Sequence, residues 1–92
     1  MDRLTRALDD GTYVVDSSKV EPNIHGYSGE AIDKLARFEN FYLDLLASQV
    51  AIPEEMEKLR QQGKTKSLRF RELMGEKMVK ANLISLIKSY GL

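Results

Sequence analysis

Residues 28–51 read SGEAIDKLARFENFYLDLLASQVA, and this stretch decides the fold. Ile32, Leu35, Phe38, Tyr42, Leu45 and Leu46 recur at three- and four-residue spacing, the period of one helix face. Glu30, Asp33, Arg37, Asn40 and Asp44 fall opposite them. The spacing therefore predicts a long helix over 28–51, with Ser28 as its N-cap and Glu30 suited to the positive end of the dipole. Glu30–Lys34 and Asp33–Arg37 stand at i,i+4, where opposite charges attract along a helix. Phe41, Leu43 and Ala47 widen the apolar arc to about half the circumference. A helix apolar over so wide an arc touches several elements or a second copy of itself.

Upstream, Asp10-Gly11 is a two-residue hairpin signal, because both central positions of a type I′ turn need positive φ. Thr12-Tyr13-Val14-Val15 has the β-branched and aromatic character of a strand. A hairpin is expected over 1–16 and a connecting loop over 16–28, with turn chemistry from Ser17-Ser18, Pro22-Asn23 and Gly26. Downstream, Pro53 suits the first position of a new helix, Glu54, Glu55 and Glu57 suit its N-terminal dipole, and Gly63 stops it. A short helix is thus expected over 53–62, with Met56 and Leu59 as its apolar contacts.

Over 65–91 two apolar stripes lie on roughly opposite sides. Phe70, Leu73, Met74 and Met78 form one; Val79, Leu83, Leu86, Ile87 and Tyr90 form the other. Gly75 weakens a helix and Asn82 suits a cap, so a break is expected between them. The alternative is one continuous helix buried on two sides, which Leu68 and Ile84 also suit. The fold class is therefore mostly α (α+β): an N-terminal β-hairpin, then three to four helices in a small bundle, as a single domain over 1–92.

With 92 residues, 42% apolar and 30% charged, the composition is that of a folded domain with a small core, for which oligomerisation is expected. The absence of cysteine excludes disulfides, thiol catalysis and thiolate-bound metal. No apolar run exceeds three residues, as in Val50-Ala51-Ile52, so no membrane partner is expected. The opening Met1-Asp2-Arg3-Leu4-Thr5 lacks a signal-peptide core, and a cytoplasmic location is expected.

The net charge is zero but unevenly placed. Residues 1–57 carry five basic and twelve acidic side chains, and residues 58–92 nine basic and two acidic ones. Such halves neutralise each other, within one chain or across a dimer, or else mark a nucleic-acid-binding segment. Lys58, Arg60, Lys64, Lys66, Arg69 and Arg71 cluster around Phe70; of these Lys64, Lys66, Arg69 and Arg71 are the candidate nucleic-acid contacts. The opposing reading is a solvated helix rim facing the acidic first helix or Glu54–Glu57.

No catalytic, cofactor-binding or metal-ligating set emerges. His25 stands alone in a loop, Asp9, Asp10 and Asp16 lack EF-hand spacing, and nucleotide, zincin and hydrolase motifs are missing. The expectation is a protein that is not an enzyme and takes no cofactor.

Arg3-Leu4-Thr5 with Asp10-Gly11, and the run from Gly26 through Ala31-Ile32-Asp33-Lys34-Leu35-Ala36-Arg37-Phe38-Glu39, resemble small proteins encoded by phages and prophages of Gram-positive bacteria. The likeness covers about the first forty residues. Phe70-Arg71-Glu72-Leu73-Met74 and Lys88-Ser89-Tyr90-Gly91-Leu92 look similar to the longer members. Some members carry cysteines before the helix; this chain has none, so no metal-bound loop is carried over. The resemblance implies a mobile-element origin, a bacterial host cytoplasm, and no particular activity. The resulting expectation is an accessory protein acting by protein–protein interaction with a phage or host protein or by self-association. A homodimer through Phe38, Phe41, Tyr42 and Leu45 is the first reading, and a small nucleic-acid-binding regulator the second.

Overall fold

A computed structural model describes residues 2–92. Strands β1 (Thr5–Ala7) and β2 (Tyr13–Val15) form one antiparallel hairpin, with Thr5 opposite Val15 and Ala7 opposite Tyr13. A 3-10 turn at Ser17–Lys19 leads to a second hairpin, β3 (Glu21–Asn23) with β4 (Gly26–Ser28). Two helices follow, α1 (Glu30–Gln61) and α2 (Leu68–Ser89). The chain divides into two compact units, one ending at Asn40 and the other Phe41–Leu92.

The first hairpin stands where the sequence puts it, but its turn differs. Leu8 and Thr12 bracket a three-residue loop, with the Leu8 amide donating to the Thr12 carbonyl (2.8 Å) and the Gly11 amide to the Leu8 carbonyl (3.0 Å). Only Gly11 has positive φ (85°), so Asp10 is spared the left-handed conformation. Its carboxylate instead accepts from the Thr12 amide (3.0 Å) and hydroxyl (2.6 Å). The second hairpin replaces the expected loop over 16–28. Its strands are too short and polar to show alternation, and the Asn23 side chain closes the turn by accepting from the His25 amide (2.7 Å).

Ser28 ends β4 and is not the helix cap; the Gly29 carbonyl takes the first α1 bond from the Asp33 amide (3.0 Å). Gly29 has φ of 129°, and a Cβ there would collide with the Lys19 carbonyl. Glu30 pairs with Lys19 at 2.9 Å. Among the described residues neither Glu30–Lys34 nor Asp33–Arg37 comes within 4.0 Å.

The expected division into helices over 28–51 and 53–62 does not occur, since Pro53 lies inside α1. A proline in a helix interior costs about 3 kcal/mol. Leu45, Ser48, Ile52 and Met56 are buried, and half-buried Leu59 continues their stripe in one phase across Pro53. Ile52 and Met56 pack with Phe70 and Leu73 as one cluster. Two such burials at about 1.5–3 kcal/mol each are enough to offset the missing bond. Gly63 ends α1 as expected, at φ of 70°, with its amide on the Arg60 carbonyl (2.9 Å) and the Lys64 amide on the Leu59 carbonyl (2.8 Å).

α2 begins at Leu68, three residues later than expected, where the Ser67 side chain accepts from the Phe70 amide (3.2 Å). No break occurs between Gly75 and Asn82. Phe70, Leu73 and Ile84 are buried in one phase, and a helical glycine costs only about 1 kcal/mol. The helix is buried on one side rather than two: Leu68 is 72% exposed, and Val79, Leu86 and Tyr90 also remain outside. The three to four helices expected are thus two.

Candidate functional site

The four residues named as a self-association surface are divided by the fold. Leu45 is 4% exposed and consumed by the packing of the second unit, so it offers nothing to a partner. Phe41 is 47% exposed, while Phe38 and Tyr42 are half-buried.

The larger apolar surface of the second unit lies on α2. Val79, Leu83, Leu86 and Tyr90 follow a 4-3-4 spacing and form an outward stripe, with only Leu83 half-buried. The inward face of the same helix meets α1. Ile52 and Met56 stand with Phe70 and Leu73, and Ser48, Gln49 and Ile52 share a small cavity of about 160 Å³ with Lys77, Lys80 and Ala81. The two helices therefore run antiparallel, one apolar stripe of α2 inside and the other unpartnered.

The basic segment is also divided. Arg69 gives two hydrogen bonds to the Glu55 carboxylate and stands 3.6 Å from Glu72 and 3.9 Å from Glu76. The Arg69 hydrogen bond holds the Glu55 carboxyl below its ordinary range, and the Glu55 bond in turn raises Arg69. Arg60 pairs with Glu57 (3.3 Å), and its guanidinium lies 5.4 Å from the Phe70 ring centre. The expected rim facing Glu54–Glu57 is realised at these two arginines, with the glutamates in mid-helix rather than at a helix start. Lys64, Lys66 and Arg71 have no carboxylate within 4.0 Å among the described residues.

In the first unit, an open groove of about 610 Å³ lies between β1–β2 and the opening turns of α1. Ile32, Leu35 and Phe38 form its helical wall, which the periodicity locates; Leu4, Val15 and Val20 form the other, which no local pattern reveals. Arg3 and Lys34 also line it, neither of them among the site residues expected from the sequence.

His25 is exposed in the β3–β4 turn. Asp10 is occupied by Thr12, and Asp16 stands 3.8 Å from Arg6. Among the described residues no three His, Asp or Glu side chains group closely enough to hold a metal ion together. No helix is long and apolar enough to cross a membrane. No protein family, curated protein or solved structure matches the chain.

Proposed function

We propose that this protein is a non-enzymatic accessory protein of a phage or prophage, working in the host cytoplasm by association with a second copy of itself. The observation that carries the self-association is the outward stripe of α2, with Val79 59%, Leu86 58% and Tyr90 78% exposed. An antiparallel helix pair buries one stripe of α2; a second pair laid against the other makes a four-helix arrangement with both stripes inside. The mobile-element origin rests on the resemblance of about the first forty residues. Phe41, 47% exposed, adds to the surface named from sequence.

Light scattering after size exclusion, at low and high salt, tests this reading. A salt-insensitive dimer is expected, because apolar burial is not screened. Leu86→Lys is expected to give a monomer of unchanged helicity, and Phe41→Glu a weaker effect. A wild-type monomer, or a Leu86→Lys protein that assembles normally, refutes it.

Lys64, Lys66 and Arg71, with no carboxylate within 4.0 Å among the described residues, favour a second reading, a nucleic-acid-binding regulator. It predicts binding to DNA or RNA that weakens steeply with salt and is lost on replacing these three with alanine. The absence of binding at low salt removes it.

A further inference from the structure

The first unit has no fully buried side chain among its described residues. Leu4, Val14, Val15, Val20, Ala31 and Phe38 are half-buried, while Ile32 and Leu35 are 37% and 54% exposed. Its apolar side chains converge on the walls of the groove instead of filling a core. The groove's only charged lining residues are Arg3 and Lys34, with no carboxylate among them. Arg6 and Lys19 are neutralised by Asp16 and Glu30. Arg3 and Lys34 have no such partner within 4.0 Å among the described residues. Arg3 is nevertheless held in place, its Nε donating to the Thr5 hydroxyl (3.1 Å) and its guanidinium 5.6 Å from the Tyr13 ring centre.

We propose that this groove binds a single-chain amphiphile with a carboxylate head, of the fatty-acid class. The alkyl chain lies against Leu4, Val15, Val20, Ile32, Leu35 and Phe38, and the carboxylate meets Arg3 and Lys34. The volume is within the range of small-molecule sites, about 300–1,000 Å³, and mostly apolar walls with a few charges are their usual make-up. Charge complementarity selects this occupant over a second copy laid groove to groove. Self-apposition brings two pairs of unneutralised cations together, whereas a carboxylate head neutralises one pair. The ligand completes the core that the first unit lacks.

Calorimetric titration of octanoate, decanoate and dodecanoate into the full chain tests this, with octanol as the uncharged counterpart. Saturable one-to-one binding is expected, strengthening about fourfold per added methylene. Octanoate is expected to bind at least tenfold more tightly than octanol. In the Arg3→Gln/Lys34→Gln variant, whose changes are at exposed positions, the acids lose that advantage and octanol binds unchanged. The Leu86→Lys protein binds the acids as the wild type does, which separates this site from the self-association surface. No binding, affinity independent of chain length, or acids bound equally by the double glutamine variant overturns the proposal. So does binding that occurs only in the Leu86→Lys protein, since the groove is then covered by a second copy.

Discussion

The Arg69 guanidinium grips the Glu55 carboxylate with two bonds across fourteen residues of sequence, Nε to Oε1 at 2.9 Å and Nη2 to Oε2 at 3.1 Å. The fork joins α2 to α1 beside the buried Ile52–Met56–Phe70–Leu73 cluster. It also leaves Arg69, unlike Lys64, Lys66 and Arg71, with carboxylates beside it.

This pair predicts an acid-side loss of stability. Glu55 is held low by its hydrogen bond from Arg69, Glu30 by that from Lys19, and Asp10 by the Thr12 hydroxyl and amide. A depressed carboxyl in the folded state means that the unfolded chain takes up protons first. The contribution is therefore complete above the ordinary values of 4.5 for Glu and 3.8 for Asp, and is lost as pH falls through the lower folded values. Urea midpoints measured from neutral pH downward should fall over this range, with a shallower slope in the Glu55→Gln/Glu30→Gln protein. Asp10 and Glu30 are exposed and Glu55 half-buried, its side chain 46% open to solvent, so the effect at neutral pH is small.

Leu73 is wholly enclosed, at 0% exposure. Leu73→Ala should cost about 2–5 kcal/mol in denaturant unfolding, by lost transfer energy and the cavity left behind. Leu68→Ala, at a side chain 72% exposed, should change stability by less than about 1 kcal/mol.

Two glycines should respond in opposite directions. Gly29→Ala places a Cβ against the Lys19 carbonyl at a positive φ, and should destabilise the protein by at least about 1–3 kcal/mol. Gly75 has open space around it, so Gly75→Ala should add about 1 kcal/mol of helix stability. Thermal unfolding of both variants checks the contrast.

Pro53→Ala restores an amide that can donate to the Gln49 carbonyl within α1. The free energy of unfolding, measured with urea, should rise by up to about 3 kcal/mol, since the packing of Ile52 and Met56 is retained. A fall would mean that the helix depends on proline's restriction of the unfolded chain.

Local patterns determined much of this protein. The Asp10-Gly11 turn, the long amphipathic run from Glu30 and the stop at Gly63 depend on neighbours within a few residues. Of the stripe Phe70, Leu73, Met74 and Met78 only the first two are buried, while Met74 and Met78 are 52% and 68% exposed and Ile84 takes their place inside. Tertiary packing decided what those patterns leave open. Pro53 and Gly75 are breakers by local propensity, yet Ile52, Met56, Phe70 and Leu73 bury together and carry the helices through them. The choice of Phe70, Leu73 and Ile84 over Val79, Leu86 and Tyr90 as the inward stripe was likewise made by what α1 presents. So was the fate of Arg69, whose partner lies fourteen residues away. The groove is of the same kind, since Leu4, Val15 and Val20 become its second wall only when the hairpin stands beside α1. Helix and turn preferences are short-range and reside in the sequence; which face is buried, and which charge is neutralised, depends on contacts that exist only in the folded chain.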